Sequence, residues 1–170
     1  MDPNHPPEPW LRGTLNDVAA VPRAVLHALE LAKEDLLRWC GALTDAELNA
    51  RPAGLAPVAF HILHIARSLD RLLTYAEGNQ LSSAQIAQRN AELDLPAKHE
   101  ELFKELDSSL QKSADRIRAF DLTRLNEPRE VGQKKLPTTL GGLLVHVADH
   151  TQRHVGQAVT TSKIVLAQRS

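Results

Sequence analysis

Apolar residues recur three or four positions apart through four long segments of the chain, and this spacing is the strongest constraint on its fold. The pattern predicts one helix over Pro22–Cys40 and a second over Pro57–Gly78. A third helix follows Pro96, and Thr138 or Thr139 caps the last one. Four long amphipathic helices in 170 residues predict an all-α protein, a four-helix bundle.

Between the long helices the apolar pattern is short or absent. Thr44 and Glu47 have the spacing of a capping box, which predicts a short helix at that point. The pattern also allows a short helix over Ser83–Ala91. The stretch Asp121–Pro137 shows no lasting period, so we expect a loop there, and we predict no strand anywhere in the chain.

The N-terminal residues differ from the rest in composition. Four of the first nine residues are prolines, which disfavour regular structure. We therefore expect residues 1–13 to form a flexible N-terminal arm and residues 14–170 to form a single helical-bundle domain.

Charge and cysteine content exclude several classes of partner. The formal net charge is −1, from 20 basic and 21 acidic side chains, so no nucleic-acid or membrane partner is expected. Cys40 is the only cysteine, so the chain cannot form an internal disulfide. The first ten residues lack the features of a signal peptide. Together these observations predict a cytoplasmic protein.

Five of the eight histidines fall on two of the predicted helices. His61 and His64 lie on the second long helix, and His146, His150 and His154 lie on the last. Side chains four residues apart lie one turn above each other, so two such imidazoles can bind the same metal ion. With a third ligand from another helix, a position stays open for water or substrate, as in catalytic metal sites.

Helical-wheel positions alone leave the choice of ligands open. On the last helix, His150 and His154 lie nearer the apolar stripe than His146, which favours them as the pair. On the second helix the same comparison weakly favours His61 over His64.

The remaining histidines are isolated in the sequence. His27 and His99 stand alone on their helices, and His5 lies in the N-terminal arm. We expect none of them to bind a metal. Cys40 is expected to be a small core residue.

Two segments resemble the signatures of a known family. LVHVADHTQRHVGQA (residues 144–158) is similar to the last-helix signature of the DinB-like proteins, in which a histidine pair four residues apart precedes Gly-Gln. PVAFHILHIARSLDRLL (residues 57–73) is similar to the second-helix signature of that family. These proteins are damage-inducible helical bundles, distinct from the translesion polymerase of similar name. The resemblance covers roughly residues 22–160.

The resemblance implies a four-helix bundle that holds one zinc or nickel ion through three histidines, often as a homodimer. The positions that match the family's ligands are His64, His150 and His154. His61 remains the alternative to His64 as the third ligand. Many members have a histidine just before the last ligand and an arginine just after it. This chain has Arg153 and Val155 there, which puts the substrate contacts of the family in doubt.

The function implied by the resemblance is that of a metal-dependent transferase. Characterised relatives add low-molecular-weight thiols to small electrophilic substrates. A metal with three histidine ligands and an open position can stabilise a thiolate, which explains that chemistry. Two alternatives stay open: a metal-dependent hydrolase, in which the ion activates water, and a non-enzymatic dimerisation or stress-response module.

Overall fold

The computed structural model describes residues 6–94 and 96–169. Within those residues the helices are α1 (Ala20–Cys40), α2 (Asp45–Leu48), α3 (Val58–Ala76), α4 (Ser83–Ala91), α5 (His99–Arg118) and α6 (Leu140–Ala167). A hairpin of β1 (Pro128–Val131) and β2 (Leu136–Thr139) lies between α5 and α6. The long helices α1, α3, α5 and α6 form the predicted four-helix bundle, so the all-α class is confirmed.

Local capping residues determine where several helices begin and end. The hydroxyl of Thr44 accepts a hydrogen bond from the backbone N–H of Glu47, and the Glu47 carboxylate accepts one from the N–H of Thr44 at 2.8 Å, which is the predicted capping box of α2. Thr139 caps α6 by accepting from the N–H of Gly142 at 3.0 Å. After α3, Gly78 adopts a φ of 88°, a left-handed conformation that glycine enters without strain.

The centre of the core lies where α3 meets its neighbours. α3 packs against both α5 and α6, and α6 packs against α1 on its other side. The inward faces of these helices carry fully buried apolar side chains, among them Leu36, Ile62, Ile65, Leu69, Leu106, Ile117 and Leu144. α3 and α6 run antiparallel, because His61 faces His154 whereas His64, further along α3, faces the earlier residue His150.

The prediction of a loop without strands over Asp121–Pro137 was wrong. β1 and β2 pair antiparallel, with Pro128 opposite Thr139 and Val131 opposite Leu136. Each strand has only four residues, and the side chain that β1 buries is an arginine rather than an apolar residue. An alternation of apolar and polar residues was therefore too short to detect.

That buried residue, Arg129, joins the hairpin to the bundle. Its Nε donates to the carbonyl oxygen of Ala76 at the C-terminal end of α3, at 2.6 Å. Its Nη2 donates to the carboxylate of Glu127 at 3.0 Å. The arginine thus supplies a partner for a carbonyl that the end of a helix leaves unsatisfied.

Part of the predicted N-terminal arm lies against α1. Pro9 is buried in a short 3-10 turn, and both Nη atoms of Arg12 bond to the carboxylate of Glu34 on α1, at 2.6 and 2.7 Å. Residues 1–5, which include His5, lie outside the described residues. The division into an arm and a single domain stays a prediction.

The two isolated histidines make ordinary structural contacts. Nε2 of His27 lies 3.1 Å from the hydroxyl of Thr14, and Nε2 of His99 lies 2.8 Å from the carbonyl oxygen of Gly41. Cys40 is fully buried, and burial raises the pKa of its thiol to about 11. Over residues 6–94 and 96–169, no helix combines the length and apolar character needed to cross a membrane.

Two adjacent leucines of α1 provide a matched test of the packing. Leu36 is 0% exposed, whereas Leu37 is 50% exposed. We expect Leu36→Ala to lower the free energy of unfolding by about 2–5 kcal/mol, because it leaves a cavity in the core. Leu37→Ala should lower it by about 1 kcal/mol or less. Urea denaturation followed by circular dichroism measures both, and equal losses would contradict the packing described above.

Candidate metal centre

Three histidines from two helices lie together at one edge of the α3–α6 interface. They are His64 on α3 and His150 and His154 on α6, and one ring nitrogen from each lies within 4.8 Å of the other two. Nε2 of His64 is 3.3 Å from Nε2 of His150. The three side chains could therefore hold a metal ion; that they bind one stays a prediction.

The rings of this histidine cluster form a compact triangle. The ring centroids of His150 and His154, one helical turn apart, are separated by 4.7 Å. The centroid of His64 lies 4.4 Å from that of His154 and 5.1 Å from that of His150. All three side chains are partly exposed, so the cluster remains accessible to solvent.

His61, the alternative to His64 as the third ligand, contacts the cluster from outside it. Its side chain is buried, and its Nδ1 lies 3.1 Å from Nδ1 of His154. Since one of these nitrogens must donate and the other accept, the proton can sit on His154 Nδ1 and leave the Nε2 lone pair of His154 available. His61 is placed to orient His154.

His146 also lies beside the cluster rather than in it. Its Nδ1 is 3.6 Å from the carboxylate of Asp149, and its ring centroid is 5.4 Å from that of His150. The wheel analysis, which favoured the pair His150 and His154 over His146, agrees with this placement.

Burial favours the uncharged form of His61, His150 and His154. It lowers the pKa of His150 to about 4 and that of His154 to about 3, with a smaller contribution from the neighbouring His64. Burial likewise lowers the pKa of His61 to about 4. Near neutral pH these rings are therefore uncharged, with a lone pair on one ring nitrogen, which is the form that binds metal ions.

A buried carboxylate lies behind His64. Glu92, the residue after α4, is only 2% exposed, and its Oε2 lies 2.7 Å from Nδ1 of His64. The buried guanidinium of Arg71 bonds to the same carboxylate, with Nη1 on Oε1 and Nη2 3.2 Å from Oε2. Burial raises the pKa of Glu92, but the hydrogen bonds from His64 and Arg71 outweigh it, so its net pKa lies below the usual value.

These contacts assign the protons of two rings. An ionised carboxylate only accepts, so His64 carries a proton on Nδ1, and in the neutral ring Nε2 then has the lone pair. The hydroxyl of Ser68 donates to the carbonyl oxygen of Ile65 and accepts from Nδ1 of His150 at 3.4 Å, which leaves a lone pair on Nε2 of His150 too. With both rings neutral and protonated on Nδ1, the two Nε2 lone pairs face each other at 3.3 Å, and a bound cation would remove their repulsion. The donor set therefore fits a metal ion.

Comparison with known proteins identifies the family to which the chain belongs. The model of the DinB superfamily matches residues 28–158. The chain belongs to the DinB superfamily. A crystal structure of a conserved protein from Enterococcus faecalis is similar, with 25% sequence identity and a TM-score of 0.67, covering 89% of this chain and 100% of that one. No protein of curated function matches the chain significantly.

Four residues beside the cluster of this DinB-superfamily chain were missed by sequence reasoning: Phe60, Ser68, Arg71 and Glu92. Phe60 stacks on the ring of His64 with a centroid distance of 5.3 Å and covers one side of it. Arg71 could have been noticed, because it lies seven residues after His64 on the same face of α3. Nothing in the sequence links Glu92 to His64, since 28 residues separate them.

The two positions that depart from the DinB-like pattern have different environments. Arg153 is exposed and donates to Asp149, one turn earlier on α6, at 2.7 Å. Its positive charge is one of the smaller causes that lower the pKa of His150 and His154. Val155 is buried in the core, so it supports the bundle rather than the open side of the cluster.

The proton assignment leads to a spectroscopic prediction. In metal-free protein at about pH 8, we expect long-range ¹H–¹⁵N correlations to show the proton of His64 on Nδ1. His99 is the internal control, because its Nε2 must donate to the carbonyl of Gly41 and so carries the proton. A His64 ring without a proton on Nδ1 would contradict the contact with an ionised Glu92.

Proposed function

We propose that this chain binds one divalent metal ion, zinc or nickel, through His64, His150 and His154. We further propose that it is a transferase that activates a low-molecular-weight thiol for attack on a small electrophile. The observation that supports both is the convergence of three ring nitrogens within 4.8 Å, two of them 3.3 Å apart.

The ligand set is suited to such an ion. Imidazole nitrogen binds zinc and nickel well, and three neutral ligands leave the positive charge of the ion uncompensated. When bound, a divalent ion there would act as a Lewis acid that lowers the pKa of a thiol donor and favours the nucleophilic thiolate. The partial exposure of the three histidines leaves room for a small donor to approach.

The chain itself fixes the orientation of each ring. Glu92 accepts from Nδ1 of His64, Ser68 lies at Nδ1 of His150, and His61 lies at Nδ1 of His154. Each ring thus has its Nδ1 engaged by a neighbouring group, which favours Nε2 as the ligand atom. Such support keeps the three ligand atoms in place before an ion or substrate arrives.

The arrangement of carboxylates favours a thiol over water as the nucleophile. Glu92 lies behind His64 and is held by Arg71, so it is poorly placed to take a proton on the open side. Asp149 is paired with Arg153. A thiol has an ordinary pKa of about 8.5 and water one of about 15.7, so a thiol needs far less help from a neighbouring base.

The remaining parts of the proposal concern compartment and assembly. We expect the protein to act in the cytoplasm, where thiols stay reduced and where its single cysteine, Cys40, would remain free. We also propose a homodimer, as the resemblance implies. Exposed apolar side chains such as Val145 on α6 could be covered in it, and sedimentation equilibrium would measure its mass.

Metal binding is the first test. We expect about one equivalent of zinc or nickel in untagged wild-type protein, and loss of tight binding in His64→Ala, His150→Ala and His154→Ala, because each variant lacks a ligand. His146→Ala on the same helix is the matched control and should bind as the wild type does. Elemental analysis and isothermal titration calorimetry measure this, with circular dichroism to verify the fold.

Other outcomes of that experiment contradict the proposal. Wild-type protein with less than about a tenth of an equivalent after incubation with either metal would exclude both enzymatic hypotheses. Loss of binding in His61→Ala with retention in His64→Ala would show that the third ligand is His61.

Thiol transfer is the second test. We expect metal-loaded protein to accelerate thioether formation between a small thiol, such as glutathione or cysteine, and 1-chloro-2,4-dinitrobenzene. The acceleration should disappear after treatment with a chelator and in His150→Ala, because both remove the ion. Mass spectrometry of the products measures the rate. A hydrolysed product formed without added thiol would favour the hydrolase, and metal binding without either product over a panel of electrophiles would favour the non-enzymatic module.

A further inference from the structure

The segment between α3 and α5 has little apolar contact with the bundle. No residue of α4 itself is buried. Within residues 79–94, Leu81 and Ile86 are only partly buried, and Leu93 is 44% exposed. The one buried side chain in that range is Glu92, which carries a charge.

Polar contacts attach this segment, residues 79–94, to its neighbours. Nε2 of Gln85 donates to the Asp70 carboxylate at 2.6 Å and lies 2.9 Å from the hydroxyl of Thr74, both on α3. Nη2 of Arg51 donates to the carbonyl oxygen of Leu93 at 2.8 Å. These bonds lie at or near the surface, where water competes for the same groups, so each stabilises the docked position only weakly.

The contacts of Glu92 are of a different kind. Its carboxylate is buried between Arg71 and His64, and it is the one charged group that the segment places inside the bundle. Separating it from Arg71 without exposing both to water would be strongly unfavourable, because each buried charge would lose its partner. The docked position of the segment therefore depends on the environment of Glu92.

We propose that Glu92 is a positioning residue that couples metal binding at His64 to the docking of residues 79–94 onto α3. The coupling rests on the proposed function for its metal ion. The geometry that supports it is the position of Oε2, which lies 2.7 Å from Nδ1 of His64 on the side of the ring away from the ligand nitrogen.

The coupling works in both directions. A cation at Nε2 draws electron density from the imidazole, so Nδ1–H becomes a stronger donor to Glu92 and the segment is held more tightly. Conversely, docked Glu92 keeps the proton of His64 on Nδ1 and the lone pair on Nε2. When the segment moves away, the proton can shift to Nε2, and His64 can no longer act as a ligand through that atom. The two effects must be equal in free energy.

Hydrogen exchange measured by mass spectrometry tests the coupling in wild-type protein. With zinc chloride, amides of residues 83–91 should exchange roughly tenfold more slowly than without it, because local opening of the segment is suppressed. The hairpin, residues 128–139, is the internal control and should change less, because none of the three histidines lies in it.

Variants separate positioning from simple structural support. Arg71→Met/Glu92→Met removes both buried charges without leaving either unpaired, and it removes the acceptor of His64. We expect zinc affinity to fall by about 10–100-fold in this variant, and the zinc effect on residues 83–91 to disappear. Arg71→Met/Glu92→Gln restores an acceptor of similar shape and should recover part of the affinity and the Nδ1 proton signal of His64. Glu105→Gln, which breaks the half-exposed pair with Arg67, is the matched control and should behave as the wild type.

Each result decides one question. If wild-type protein binds neither zinc nor nickel, the proposed function fails; if it binds nickel alone, the exchange comparison is made with nickel chloride. If it binds zinc but exchange in residues 83–91 is unchanged, or slows only as much as in the hairpin, the metal site stands and the coupling is wrong. Wild-type affinity in the Met/Met variant would also overturn the coupling. The wild-type exchange comparison is decisive even if a variant does not fold.

Discussion

The packing of α3 against α6 is the interaction on which both the core and the site depend. Ile62, Ile65 and Leu69 on α3 are fully buried, as is Leu144 on α6, and burying them brings two antiparallel helices into contact. Packed helices have axes about 8–10 Å apart, and this separation lets side chains from both converge. His64 lies at the edge of that interface, where it is close enough to meet the α6 pair yet still reaches solvent.

Burial favours the uncharged form of both kinds of ionisable group beside this interface, but only the histidines adopt that form. For His150 and His154 it favours the neutral ring, the form that can bind a metal ion. For Glu92 burial alone would favour the neutral acid, but Arg71 and His64 keep the carboxylate ionised. A buried ion pair of this kind adds little net stability compared with apolar packing. Its presence beside a histidine cluster is therefore better explained by orientation of His64 than by stability.

Sequence patterns predicted those features that depend on local spacing. The four long helices, the Thr44 cap and the short helix over Ser83–Ala91 follow from periodicity and capping within a few residues. The hairpin escaped detection because its strands are four residues long and bury Arg129. The helical-wheel comparison ranked His61 and His64 only by their angle to the apolar stripe of the second predicted helix. It could not show that the more deeply buried ring would contact His154 from outside the cluster.

The position of Glu92 lies beyond any such pattern, because it results from the path of the chain between α3 and α5. The two DinB-like signatures contain the three histidines of the cluster. They also contain His61 and Ser68, which contact the rings of His154 and His150. The support of His64 comes instead from outside the signatures, at the end of a helix with no buried residue of its own. A chain could keep the three histidines and lose that support through changes in residues 79–94 alone. On the proposed function, the histidine motif therefore specifies where an ion can bind, whereas the connecting segment determines how firmly His64 is held.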